Sequence, residues 1–177
     1  MPKAHSNFIK HAAARTGLIL LLTMIALIPH CSAEDAIVHR AKAAIIYNCV
    51  NGMTWPKTRN SDSRWVIGVI GDDKVRTVLA RELAGKTTAG KSFSIIEPSA
   101  DIRNCHVVFV GESERRSVAG ISTQARESGV LTIGETDDGF MIRVKFESER
   151  IRTSVDVPQL KQAGLKPSAD ILRVLSK

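Results

Sequence analysis

The chain has 177 residues, with 25 Lys and Arg against 18 Asp and Glu, a formal net charge of +7, and 44% apolar residues. That balance excludes a disordered or fibrous chain and suits a globular domain. Part of the positive charge comes from Lys3, Lys10 and Arg15 at the start, and no basic tract with interleaved aromatics follows, so nucleic acid is not the expected partner.

The first segment reads as a secretory leader. Three basic residues precede a nearly unbroken apolar run from Gly17 to Ile28, and no acid appears before Glu34. Pro29 ends the run, and Cys31-Ser32-Ala33 offers the small residues of a cleavage site after Ala33. The run is short for the roughly 20 residues that span a bilayer. The expectation is a cleaved leader over 1–33 and a single α/β domain over 34–177, with no membrane insertion after cleavage and a periplasmic location. The remaining domain of about 144 residues buries enough surface to fold without staples. Its charge falls to about +4.

Taken in order, Ala36 to Met53 is predicted to be a helix, because Ala43, Ile46, Val50 and Met53 recur at helical spacing. Pro56 stops it by restricting Trp55. Lys57 to Arg64 is polar without a period and reads as a loop. Trp65 to Ile70 is apolar on both faces, the pattern of a central strand covered on both sides. Asp72 or Asp73 can cap the next helix, whose stripe is Val75, Val78, Leu79 and Leu83. Strands are expected at Phe93–Ile95, Cys105–Gly111 and Val130–Gly134, with a helix through Val118, Ile121 and Ala125 before the last. Phe140, Ile142, Val144 and Phe146, then Ile151, Thr153, Val155 and Val157, alternate with polar residues as in an antiparallel hairpin. A final helix after Pro167 is expected to bury Ile171, Leu172 and Leu175. The fold class is therefore an α/β sandwich with parallel central strands, a C-terminal antiparallel hairpin and flanking helices.

The stretch GKTTAGKS, Gly85–Ser92, fits the letters of a phosphate-binding loop. Its order is wrong. Such a loop leaves a strand and enters a helix, whose N-terminus holds the phosphates. This one leaves a helix and enters a strand, so no nucleotide cofactor is expected. Lys91→Ala is expected to leave stability nearly unchanged. Asp72-Asp73 and Asp137-Asp138 read as caps and turn residues rather than an acid–base pair. Cys105 and His106 are adjacent, and adjacent strand residues point to opposite faces, so they do not form a nucleophilic pair. No paired ligand spacing for a metal exists. No catalytic residue is assigned. Cys49 and Cys105 admit two readings: a disulfide closing a loop of about 56 residues, worth about 4 kcal/mol, or two buried thiols.

Four stretches in order resemble the YfiR family of exported bacterial regulators: KAAIIYNCVNGMTWP (42–56), WVIGVIGDD (65–73) with the helix after it, NCHVVFVGESE (104–114), and the closing block from Asp137 to Leu175. Where that family commonly has a Gly-Gly turn before the hairpin, Gly139 stands here between Asp138 and Phe140. The resemblance implies a repressor that binds the periplasmic region of a membrane-anchored diguanylate cyclase and keeps cyclic di-GMP low, with homodimers common among relatives. The expected partner surface is the wet hairpin face with Arg143, Lys145 and Arg152, or the neighbourhood of Trp55. The bland readings are a solvated face and a core indole. A second function is a small-ligand sensor using the crevice at the carboxyl ends of the strands, near Gly71-Asp72 and Gly111-Glu112.

Overall fold

The computed structural model describes residues 33–99, 101–136, 139–147 and 150–175. The leader therefore lies outside the described residues, as do Asp137-Asp138. Helix α1 (Ala33–Gly52) leads into a two-residue strand β1 (Met53–Thr54) and a single turn α2 (Lys57–Asn60). Then come β2 (Arg64–Ile70), α3 (Asp73–Glu82), β3 (Thr87–Thr88), β4 (Lys91–Ile96), β5 (Val107–Val110), a 3₁₀ turn (Glu112–Ser117), α4 (Val118–Ser128) and β6 (Leu131–Gly134). The chain ends with β7 (Ile142–Glu147), β8 (Arg150–Val155), α5 (Val157–Gln162), β9 (Lys166–Pro167) and α6 (Ala169–Leu175).

Seven strands form one sheet in the order β3-β4-β2-β5-β6-β7-β8. From β4 to β7 the neighbours run parallel, and β3 and β8 are antiparallel edges. This is the expected α/β class: central parallel strands, an antiparallel hairpin and flanking helices. The chain steps from β2 out to β4, then returns across β2 to β5 and moves on to β6. Right-handed connections in opposite directions put α3 and α4 on opposite faces of the sheet. The central strands can therefore be apolar on both sides. Val107, Val108, Phe109 and Val110 are all buried, as a strand under helices on both faces requires. Ile67 and Val69 stand beside Val107 and Phe109 in register, and Ala43, Ile46, Cys49 and Val50 of α1 join the core with Met53 of β1.

The connection from β6 to β7 is only Glu135–Met141, yet the strands run parallel. At the entry to β7, the Met141 N–H donates to Thr132 Oγ1 at 3.1 Å. The Phe140 ring lies against Gly134, where a Cβ would come within 2.2 Å of it. Only glycine fits there.

Several local expectations need correction. β8 ends at Val155, because Asp156 caps α5 by accepting from the Gln159 N–H at 3.0 Å. Pro158 suits that first turn, since its missing N–H would have no partner anyway. Val157 thus sits in a helix start and is 37% exposed, not buried on a strand. Leu172 is half-buried, while Ile171 and Leu175 are buried as expected. β1 and β9, two residues each, pair antiparallel and lie below the length at which alternation is readable.

Candidate interaction surface and buried charge network

The hairpin β7–β8 carries the expected wet face. Arg143 and Lys145 are half-buried, and Arg152 is exposed. The register sets Lys145 opposite Arg152 and Glu147 opposite Arg150. Arg152 Nε lies 3.5 Å from Glu147 Oε2, with both side chains largely solvated. Such an exposed pair contributes little to stability.

Trp55 is not on the surface, contrary to the partner-surface expectation. The β1–β9 pairing pins the residues just before it, and the indole turns inward to 6% exposure. It packs against Trp65 with ring centroids 5.4 Å apart, and edge-on to His106 at 5.7 Å. Of the two readings for the cysteines, the structure has the buried thiols: Cys49 and Cys105 are both free. Burial pushes the Cys49 thiol up to about 12. It pushes Cys105 up to about 11, against a smaller opposing pull from Arg59.

His106 is fully buried between the two tryptophans. Its Nδ1 accepts the Val66 N–H at 3.1 Å, which leaves the proton on Nε2. That atom lies 3.1 Å from Asp62 Oδ2 but off the line that a hydrogen bond needs. Burial lowers the His106 pKa, with the Arg59 carbonyl and Asp62 opposing. The ring is neutral at pH 7 and serves the aromatic cluster.

The phosphate-loop letters fold as the topology argument requires. Gly85 follows α3 with a φ of +70°. Thr87–Thr88 and Lys91–Ser92 pair as a hairpin around Ala89-Gly90. Both turn residues have positive φ, 51° and 75°, as a two-residue type I′ connection demands. Lys91 is not idle, however. Its Nζ sits over the Trp65 ring, 4.6 Å from the centroid.

At the carboxyl ends of the parallel strands the structure holds a charge network that spacing along the sequence does not announce. Lys42 of α1 is 8% exposed. Its Nζ bonds Asp72 Oδ2 at 3.0 Å and Glu135 Oε1 at 2.7 Å, and it faces the rings of Phe109 and Phe146 at 5.9 and 5.5 Å. Asp72 also caps α3 through the Val75 N–H at 3.0 Å, and its Oδ1 is 3.7 Å from His39 Nε2. Glu135 Oε2 accepts the Glu112 N–H at 3.3 Å. Burial disfavours the Lys42 charge, but the hydrogen bonds and fields of Glu135 and Asp72 outweigh it, so its pKa rises. One ammonium thus joins α1 to the turns after β2 and β6, and Glu135 adds the turn after β5.

The same turns close the crevice expected of a ligand sensor. Ser113 Oγ donates to the Gly71 carbonyl at 2.8 Å, and a Cβ on Gly111 would come within 2.7 Å of that oxygen. The position where α/β sheets commonly take ligands is filled here by the protein's own ion pairs and backbone. Lys42 did leave a trace in the sequence. It shares a helical stripe with Ile46, Cys49 and Met53, so a charge falls on the buried face. Its partners stand on two other turns, and nothing local points to them.

With this geometry in place, a sequence model of YfiR/HmsC-like proteins matches residues 39–175. The chain belongs to the YfiR/HmsC-like family. The match runs from α1 through α6, so it covers the sheet, the charge network and the hairpin together. No curated protein matches the chain. Among the described residues no helix is long and apolar enough to cross a membrane.

Proposed function

We propose that this YfiR/HmsC-like protein is an exported regulator, not an enzyme, working in the periplasm after loss of its leader. It binds the periplasmic sensor region of a membrane-anchored diguanylate cyclase and holds the enzyme inactive, which keeps cyclic di-GMP low and biofilm-type behaviour restrained. The observation that carries this reading is the family match across residues 39–175. The basic hairpin face with Arg143, Lys145 and Arg152 supplies a surface for the contact.

Repression of this kind is a population shift. The regulator must bind the inactive cyclase more tightly than the active one, since equal affinity shifts nothing. Moving a cyclase from 1:99 to 99:1 in favour of the inactive state takes a difference of about 10⁴-fold in affinity. The test is a titration of the purified exported chain against the periplasmic segment of the cyclase, with cyclic di-GMP measured in cells carrying or lacking the regulator. Binding is expected in both oxidising and reducing buffer, because both cysteines are buried as thiols. Absence of binding, with cyclic di-GMP unchanged on deletion, rejects the reading. Sedimentation of the same sample decides whether the regulator acts as the homodimer that its resemblance implies.

A further inference from the structure

The outer edge of β8 offers a backbone row that the rest of the described chain leaves open. β8 is the last strand of the sheet. In an antiparallel ladder, directly opposed residues alternate between hydrogen-bonded and non-bonded pairs. The Asp156 N–H donates to the Met141 carbonyl at 2.8 Å, and the register continues without a bulge to Arg150 opposite Glu147. Ser154, Arg152 and Arg150 therefore bond inward to β7. Ile151, Thr153 and Val155 turn their N–H and C=O groups outward, and no other described segment bonds them.

The two faces beside that row differ. On one, β7 and β8 carry Arg143, Lys145, Arg150 and Arg152 beside the carboxylate of Glu147. On the other, Ile151 is 38% exposed, and Thr153 and Val155 are half-buried. The Thr153 hydroxyl donates to the Leu175 carbonyl at the end of α6, which fixes that side of the strand.

We propose that β8 receives an extended segment of the regulated partner as an eighth strand, and that this segment alternates acidic with apolar residues. The proposal rests on the reading that a cyclase segment is the partner. An added strand takes its main-chain bonds from Ile151, Thr153 and Val155, and specificity from alternate side chains. Carboxylates on it fall beside Arg150 and Arg152, and apolar groups beside Ile151 and Val155. A second copy of this chain fits worse. Antiparallel β8–β8 pairing gathers the arginines of both copies on one face, and like charges across a sheet are unfavourable. Cationic residues also guard such an edge against self-association. The same charges that reject a copy attract an acidic strand.

The experiment has two arms. In the first, affinity for the cyclase periplasmic segment is measured for the wild type, the Arg150→Glu/Arg152→Glu double variant and Ile151→Pro. Proline at an outward-facing edge position removes a donor without cutting the β7 ladder. Each variant is first checked for a native near-ultraviolet spectrum and cooperative melting. Both are expected to bind about tenfold or more weakly. If Ile151→Pro does not fold, the charge-reversed variant decides. In the second arm, amide hydrogen exchange is followed on adding a peptide of roughly seven alternating Glu and Val residues, the length of an ordinary strand. Protection is expected at Ile151, Thr153 and Val155, with little change at Arg150, Arg152 and Ser154.

Wild-type affinity in folded variants, or protection that skips those three amides, overturns the edge proposal while leaving the regulator reading intact. Failure of the wild type to bind the cyclase segment, with the peptide still protecting the three amides, rejects the partner and keeps the edge. Protection of the same amides that grows with protein concentration alone assigns the edge to a second copy and overturns the proposal.

Discussion

Replacing Lys42 with alanine leaves the carboxylates of Asp72 and Glu135 beside each other with no cation between them, each side chain little exposed. Breaking a buried ion pair from one side typically costs about 3–5 kcal/mol, so Lys42→Ala is expected to lower the unfolding free energy measured in urea by an amount in that range. A loss under 1 kcal/mol, within the range of a surface pair, rules out the network as a fastening. The lysine works far into the alkaline range. Its folded pKa is raised, so its contribution is complete below the unfolded value and is lost only as pH climbs through the folded one. His106 behaves in the opposite sense. Its folded pKa is depressed, so the unfolded chain takes up a proton first as pH falls below the ordinary histidine value. Stability is therefore present above that value and declines toward acid. Denaturant midpoints between pH 7 and pH 5 are expected to fall, and His106→Gln, which keeps an acceptor for the Val66 N–H, flattens the slope. An unchanged slope in the variant assigns the acid sensitivity to other groups.

Single turns carry the information at the scale of elements. The β3–β4 turn forces Ala89 to a φ of 51°, where a Cβ costs roughly 1–2 kcal/mol. Asn-Gly is the pair best suited to a type I′ turn, so Ala89→Asn is expected to raise stability by about 0.5–1 kcal/mol in thermal unfolding. Two residues on, a ring contact revises an expectation drawn from the helix-to-strand order. Lys91 lies over Trp65, so Lys91→Ala is expected to cost about 0.5–1 kcal/mol rather than nothing. Equal melting temperatures for wild type and variant make the ring contact energetically idle. The long elements were legible beforehand because each repeats a pattern: α1 repeats its apolar stripe, and β2 and β5 are apolar on both faces. Helix α5 was missed because Val155 and Val157 continue a strand-like alternation. The Asp156 cap that breaks it is one hydrogen bond, not a pattern.

For the whole molecule, the two cysteines are the plainest reporters of packing. They are buried thiols with pKa values pushed to about 12 and about 11, and a thiol reacts through its thiolate. Alkylation of the native protein at neutral pH is expected to be slow and to follow unfolding. Two thiols per exported chain are expected to react in denaturant without reductant. Fewer than two under those conditions means that a disulfide forms after all. The crevice at the strand ends is filled by Lys42, Asp72, Glu135 and the Ser113–Gly71 contact.

The sequence by itself determined the α/β class, most of the long elements, the failure of GKTTAGKS as a phosphate loop and the family resemblance. All of these follow from order and periodicity along one chain. Tertiary structure alone decided that Trp55 faces inward, that Cys49 and Cys105 stay unbonded and that Lys42 meets two carboxylates. It also decided which alternate residues of β8 face outward. Each of these depends on a distance or an orientation between segments far apart in the chain. A periodicity fixes which side of its own element a residue occupies, and not what stands opposite.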